Sequence, residues 1–148
     1  MLGELTQTEI QSLLSTEVVA RIGCHANGRT YVVPITYAYD DGAIIGHSGD
    51  GMKVEMMRKN PFVCVEVDRM DTLANWRSVI AWGHYEELTG RTAVDAIERL
   101  ANRLAHLSPS ETSVPAPGRG RGGQEPPAHA VVVYRIRLTE TTGRYETR

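Results

Sequence analysis

Two tight-turn signals frame a single alternating run and leave the chain little choice but a meandering sheet. Asn27-Gly28 and Asp40-Asp41-Gly42 place residues that tolerate positive φ where a short hairpin turn needs them. Before the first turn, Val18, Ala20, Ile22 and Cys24 alternate with Val19, Arg21 and Gly23. This period of two predicts a half-buried strand over 18–24. The return strand is Thr30 to Tyr39, and Ala43 to His47 follows the second turn. Phe62 to Val67 is a dense apolar run that reads as a central strand. Trp76 to Leu88 and Ala130 to Leu138 alternate again. Six strands joined mainly by tight turns imply a mainly β chain.

Helical spacing intervenes at a few places. Thr6-x-x-Glu9 forms a capping-box pattern ahead of Ile10, Leu13 and Leu14, which predicts a first helix. Met52 to Lys59 reads as a short helix that stops before Asn60-Pro61, because a proline disfavours helix in the residue ahead of it. Thr92-x-x-Asp95 opens another helix, with Val94, Ile97, Leu100, Leu104 and Leu107 on one stripe. The expected architecture is a six-stranded antiparallel β-barrel with two to three flanking helices.

The 148 residues suffice for one domain, 1–148. Residues 108–129 are dense in Pro, Gly and Ser. A strand follows them, so they read as a flexible insertion within that domain. Sixteen basic residues against eighteen acidic ones give no reason to expect a nucleic-acid or membrane partner. The start of the chain lacks a secretory pattern and there are two cysteines, so a cytoplasmic protein is expected.

Several residues carry possible chemistry. His47, Ser48, Gly49, Gly51 and Lys53 gather an imidazole, a hydroxyl, accessible backbone N–H groups and an ammonium at a strand-to-helix junction. Those groups suit a phosphate dianion, although a solvated Gly-rich turn carries the same residues. Pro34 lies inside a strand, which marks either an edge strand or a place where the backbone at Ile35 and Thr36 opens toward a ligand. Asn75-Trp76-Arg77-Ser78 either flanks a flat polar ring or fills a core or dimer interface. Scattered histidines without a ligand spacing point to no metal site. The Gly118–Gly123 stretch with its two arginines could suggest RGG-type RNA contact, but reads better as a flexible loop.

Four segments together resemble the pyridoxamine 5′-phosphate oxidase-like, FMN-binding split-barrel family, in its nitroimidazole-resistance (NimA-like) branch. They are RIGCHANGRTYVVPITYAYDDGAIIGHS, GMKVEMMRKNPFVCVEVD, NWRSVIAWGHYEEL and VVVYRIRLTETTGRYE. The resemblance implies a homodimer that binds FMN at the subunit interface. It implies that His47, Ser48 and Lys53 hold the FMN phosphate. Pro34, Ile35, Thr36 and Tyr37 would line the ring through their backbone, and Trp76 and Ser78 would reach it from the other subunit. His47 is also implied near the reactive ring as a catalytic residue, so its role is divided. The implied activity is an oxidoreductase that reduces a small acceptor, a nitro compound or quinone, with NAD(P)H as a donor. The chain ends at GRYETR without the C-terminal arginine and histidine pattern of the oxidases proper, which points away from pyridoxamine phosphate as substrate. The same fold also serves as a non-catalytic flavin carrier or sensor, or binds F420 or haem.

Overall fold

The computed structural model describes residues 1–107 and 131–148. The expected insertion at 108–129 therefore lies outside the described residues. In chain order the elements are β1 (Leu2–Glu4), α1 (Gln7–Thr16), β2 (Val19–Ala26), β3 (Arg29–Thr36), β4 (Ala38–Asp40), β5 (Ala43–Ser48), α2 (Met52–Lys59), β6 (Phe62–Thr72), β7 (Asn75–Glu87), α3 (Gly90–Leu104) and β8 (Val132–Glu146).

The strands form one antiparallel sheet in the order β3-β2-β6-β7-β8-β5-β4, with β1 paired to β8. Its two outermost strands, β3 and β4, are consecutive in the chain and separated by Tyr37 alone. The sheet thus curls until its edges nearly meet, as expected for a split barrel. Tyr37 is fully buried. Its N–H donates to Val18 O at 3.0 Å and its hydroxyl donates to Leu14 O at 2.7 Å.

Both turn signals behave as their residues require. Asn27 and Gly28 take φ of 53° and 74°, and Asp41 and Gly42 take 46° and 78°. This double left-handed geometry matches the right-handed twist of the flanking strands. Among the described residues the strands number eight against the expected six, because Tyr37 divides the 30–39 run and Leu2–Glu4 adds a short strand to β8. The last strand also runs on to Glu146, past the polar 139–142 stretch. Gly143 permits this: a Cβ there would lie 2.9 Å from Leu5 and Ile10 side-chain atoms, so the strand passes directly under α1.

The barrel interior holds Ala20, Ile22, Cys24, Val63, Val65, Val67, Val79, Ala81, Tyr134 and Ile136. Helix α1 contributes Ile10, Leu13 and Leu14, and α2 contributes Val54, Met56 and Met57. The capping box of α1 forms in both directions, Glu9 N–H to Thr6 Oγ1 at 3.2 Å and Thr6 N–H to Glu9 Oε1 at 3.1 Å. A second, smaller core sits outside the barrel, where α3 packs Ala96, Leu100 and Leu104 on Ala38, Ile45 and Val133. The α3 stripe differs from the expected one, since Val94 and Leu107 are exposed. Ile97, Leu100 and Leu104 pack as expected, and Ala93 and Ala96 continue their line at helical period; small alanines let the helix approach the sheet.

Candidate functional site

Strand β5 ends on His47 and Ser48, a Gly49-Asp50-Gly51 loop follows, and α2 begins at Met52. The N-cap, Gly51, has extended backbone and no side-chain cap. The first-turn N–H groups of α2 therefore lack the acceptor that a Ser, Thr or Asp cap would supply. The loop is held from the other side. Arg58, in the last turn of α2, bonds Asp50 at 3.1 Å and also bonds Glu87, which accepts from Tyr85 Oη at 2.9 Å.

Lys53 is the distinctive residue of this junction. It is half-buried, and its burial pushes the ammonium below the usual lysine range, with Cys24 pulling the other way. None of the ion pairs among the described residues involves Lys53. Its neighbours respond to it. Burial lowers His47, and the Lys53 charge lowers it further. Burial raises the Cys24 thiol, opposed by Lys53. The Nδ1 atom of His47 is buried and has no hydrogen-bond partner among the described residues. A desolvated cation without a carboxylate, an imidazole nitrogen without a partner and an uncapped helix start face one small region. Each is individually unfavourable, and a phosphate dianion relieves all three. The residues present therefore fit the phosphate of a nucleotide. Ser48 Oγ donates to Gly49 O at 2.8 Å, so it must rotate to join such a site.

Pro34, Ile35, Thr36 and Tyr37 lie together along the end of β3. Because Tyr37 N–H donates to Val18 O, the alternation of the antiparallel ladder turns odd-numbered β3 residues toward β2. Pro34 is even-numbered and paired in register with Arg21, so its missing donor faces the outer edge and no ladder bond is lost. This answers the edge-strand reading of Pro34. Ile35 pairs with Ala20 and Thr36 with Val19, and the Ile35 side chain is buried in the core.

Trp76 and Ser78 are elsewhere. Trp76 Nε1 donates to Glu146 Oε2 at 3.1 Å. Strand β8 pairs Glu146 with Trp76 at one end, and Val133 with His47 near the other. Thirteen residues of strand, on the order of 40 Å of path, separate these partners. One chain thus does not bring Trp76 and Ser78 to Lys53.

The outer face of β3, β2, β6 and β7 bears on that separation. In register, it carries Val32, Pro34, Val19, Phe62, Cys64, Met70, Trp76, Ile80 and Trp82. Val32, Phe62 and Met70 are 63%, 51% and 61% exposed. Arg21 crosses this face to Glu66 at 3.5 Å and Asp68 at 3.3 Å. Burial, and then the neighbouring Asp68, raise Glu66 to about 7. Cys64 lies on this face while Cys24 points into the barrel, and both are free thiols.

Two clefts flank the regions described. One, about 330 Å³, is lined by Ala26, Asn27, Arg29, Met52, Glu55, Met56 and Lys59. It begins at Met52, the residue before Lys53. The other, about 260 Å³, is lined by Arg69, Asp71, Asn75, Trp76 and Arg77 at the β6–β7 hairpin. Sequence reading missed Cys24 as a neighbour of Lys53 and Arg29 as a cleft residue. The inward phase of the β2 alternation was the available signal for Cys24. No local signal marks Arg29, which follows a turn like any solvated arginine. Among the described residues no three His, Cys, Asp or Glu side chains group as a metal site. No described helix is long and apolar enough to cross a membrane.

Comparison with known proteins bears on the family and the fold. The family model described as pyridoxamine 5′-phosphate oxidase matches residues 6–145. An uncharacterized protein of Rhizobium meliloti (strain 1021) is 32% identical over 84 residues, which are 57% of this chain and 56% of that protein. The chain therefore matches little more than half the length of this curated relative. Among solved structures, a FAD-binding protein from Mesorhizobium loti superposes with a TM-score of 0.75 at 28% identity, over 99% of each chain. A Bacteroides thetaiotaomicron protein named as a candidate for 5-nitroimidazole antibiotic resistance gives 0.69 at 20% identity, over 98% of this chain and 87% of that one. The FAD binding protein of Mycobacterium smegmatis gives 0.67 at 20% identity, over 97% and 98%. The last two are similar in fold.

Proposed function

The chain belongs to the pyridoxamine 5′-phosphate oxidase family, and on that premise we propose that it is a flavoprotein oxidoreductase that binds FMN and reduces a small acceptor. The observation that carries the reading is the desolvated Lys53 beside His47 Nδ1 at the open start of α2, neither of them partnered among the described residues. Names among the structural relatives support a flavin ligand. When bound, the flavin supplies the redox chemistry. The chain's own residues bind and orient it. Lys53 and the first-turn N–H groups of α2 hold the phosphate, with Ser48 turned to join them. The Pro34–Tyr37 strand end lies along the ring. His47, kept neutral by burial and by Lys53, offers a hydrogen bond to phosphate or ring without adding a charge.

The proposal includes a homodimer. The outer face of β3, β2, β6 and β7 is apolar enough to be covered by a second copy. Such pairing brings the partner subunit's Trp76 and Ser78 toward Lys53, which one chain alone cannot do. Acceptors of the nitro or quinone class and a nicotinamide donor complete the reading, in a reducing, cytoplasmic setting that leaves Cys24 and Cys64 as thiols.

The test is direct. Purified protein is yellow and releases FMN on denaturation, or takes FMN up when supplied. NADH or NADPH bleaches the bound chromophore, and a nitroarene or quinone restores it. Folded protein that stays colourless with added flavin defeats the reading. A bound flavin that neither donor reduces leaves binding intact and removes the enzymatic part.

A further inference from the structure

The cleft of about 260 Å³ at the β6–β7 hairpin gathers residues from both faces of the sheet. Trp76 stands on the outer face, so its neighbour Arg77 points to the other one. The register of β6 and β7 slips between Met70 and Thr72, which leaves Asp71 as an extra residue. A bulge of this kind bends the strand, adds twist and re-aims side chains. Here Trp76, Arg77, Arg69, Asp71 and Asn75 come to line one hollow.

The charges of this hollow are not balanced. Arg69 and Arg77 sit directly opposite each other in register, which is unfavourable for two like charges on neighbouring strands. One carboxylate of the lining answers them: Asp71 Oδ1 lies 3.4 Å from Arg69 Nε. Arg77 takes part in no ion pair among the described residues. The Glu9 carboxyl feels the Arg77 charge, but hydrogen bonds from Thr6 lower it first and hold it in the α1 capping box. Two guanidinium groups against one carboxylate leave the lining with one positive charge in excess. The flat wall is fixed as well. Trp76 Nε1 donates to Glu146 Oε2 at 3.1 Å, which anchors the indole by its polar edge and leaves a ring face for stacking.

A guanidinium fork matches the two oxygens of a carboxylate, and an anchored indole matches a ring. Pockets for drug-sized ligands run to about 300–1,000 Å³, so this smaller one suits a single substituted ring. One excess positive charge suits a monoanion. We infer that the cleft takes a planar aromatic carboxylate and is the acceptor site of the proposed flavoprotein. The carboxylate lies on Arg77 and Arg69, the ring stacks on Trp76, and Asn75 bonds a polar substituent at the ring edge. Trp76 is the link between this cleft and the flavin. The dimer of the functional reading carries the partner subunit's Trp76 toward Lys53, and the cleft that borders this indole goes with it. The inference rests on that reading and names its substrate class: nitro compounds or quinones that bear a carboxylate, in preference to neutral ones.

The experiment compares 4-nitrobenzoate with 4-nitrobenzamide, a neutral counterpart of nearly the same shape, on FMN-loaded wild type and an Arg69→Gln/Arg77→Gln double variant. Both substituted positions are exposed, so the variant keeps its fold. Calorimetric titration without an electron donor reads binding, and KM with NADH or NADPH reads the acceptor site. The wild type should bind the carboxylate about tenfold more tightly than the amide, with KM lower by a similar factor, as charge-assisted contacts to one carboxylate allow. In the double variant both ratios should fall to within about twofold of one. Equal binding of the two compounds by the wild type overturns the inference, as does a preference that survives in the double variant. A binding preference with no matching difference in KM separates the cleft from the acceptor site and overturns it too. A wild type that takes up no FMN refutes the flavin reading and the acceptor role with it, while titration of that protein still decides the ligand class of the cleft.

Discussion

Replacing Lys53 with methionine should improve the empty protein and impair its ligand binding at once. Methionine keeps the length and apolar stem of lysine and removes the charge. In the apo protein the ammonium is half-buried with no carboxylate partner among the described residues. An unsatisfied buried polar group costs about 1–3 kcal/mol, and half exposure leaves roughly 1 kcal/mol after solvent screening. Lys53→Met should therefore raise the apo melting temperature by about 3 °C, given the entropy of unfolding of a chain of this size. The sign carries a pH signature. Burial depresses the folded pKa below the ordinary 10.5, so the unfolded chain holds the proton more tightly. The penalty is present at neutral pH and disappears as pH rises through the folded value toward 10.5. The advantage of the variant should shrink over that interval. Flavin binding should move the opposite way. A charge-assisted phosphate contact contributes about 1.5–3 kcal/mol, so FMN affinity should fall about 10- to 150-fold. Thermal unfolding of the apo forms and fluorescence titration with FMN read the two effects separately. A variant that binds FMN as tightly as wild type removes Lys53 from the site. One that melts lower without ligand shows that the ammonium has a structural partner and undoes the argument from desolvation.

Other consequences are as specific. A Cβ at Gly46 would sit 2.5 Å from Tyr134 Oη and 2.6 Å from its Cζ, so Gly46→Ala should cost about 1–3 kcal/mol in urea unfolding. Tyr134→Phe should be neutral or stabilising by about 1 kcal/mol, because the buried hydroxyl has no partner among the described residues; a large loss would mean that an internal ligand or water holds it. Ile80→Arg puts a charge amid the outer face of β6 and β7 and should convert a dimer to monomer in analytical ultracentrifugation, and an unchanged sedimentation coefficient would place the interface elsewhere. For His47, burial depresses the folded pKa below 6.5. Apo stability is full above that pH and falls as pH drops from 6.5 through the depressed value, since the unfolded chain takes up a proton that the folded one resists. His47→Gln should flatten that part of the melting profile between pH 5 and 8, and superimposable profiles would contradict it.

The parts of the fold written in local chemistry were legible in the sequence. Asn27-Gly28 and Asp41-Gly42 demand left-handed residues and received them, and Thr6 and Glu9 close their box within four residues. Tyr37 was not legible, because its role depends on Val18 and Leu14, which come near only once the sheet has curled. The α3 stripe was legible at Ile97, Leu100 and Leu104 but not at Val94 or Leu107, for a related reason. Val94 fits a helical period as well as Ala93 does, and only the approach of Ile45 and Val133 selects the alanine side. At the candidate site the residue types of His47, Ser48 and Lys53 were visible, but their state was not. That Lys53 is desolvated beside Cys24 follows from the inward phase of β2, which crosses from one segment of sequence to another.

These failures share a direction that bears on function. A sequence folds well when each local preference agrees with the whole. Most of this chain obeys: caps close, turns hold their glycines, and charged side chains on the sheet find partners, as Arg21 does with Glu66 and Asp68. The departures concentrate where β5 meets α2. Among the described residues, an uncapped helix start, a cation without an anion and an imidazole nitrogen without a partner lie within seven residues of one another. Each could be relieved by an ordinary substitution, such as serine at position 51 or glutamate near Lys53. A folded chain that tolerates three such defects in one place is poised for a ligand that repairs them together. An anion must supply the acceptors, and one bearing two charges repairs more than a carboxylate can. If Gly51→Ser improves apo stability and weakens FMN binding, the open helix start belongs to the phosphate site. If the serine stabilises the protein and leaves FMN affinity unchanged, the phosphate does not touch α2, and the site must be built from β5 and the loop alone.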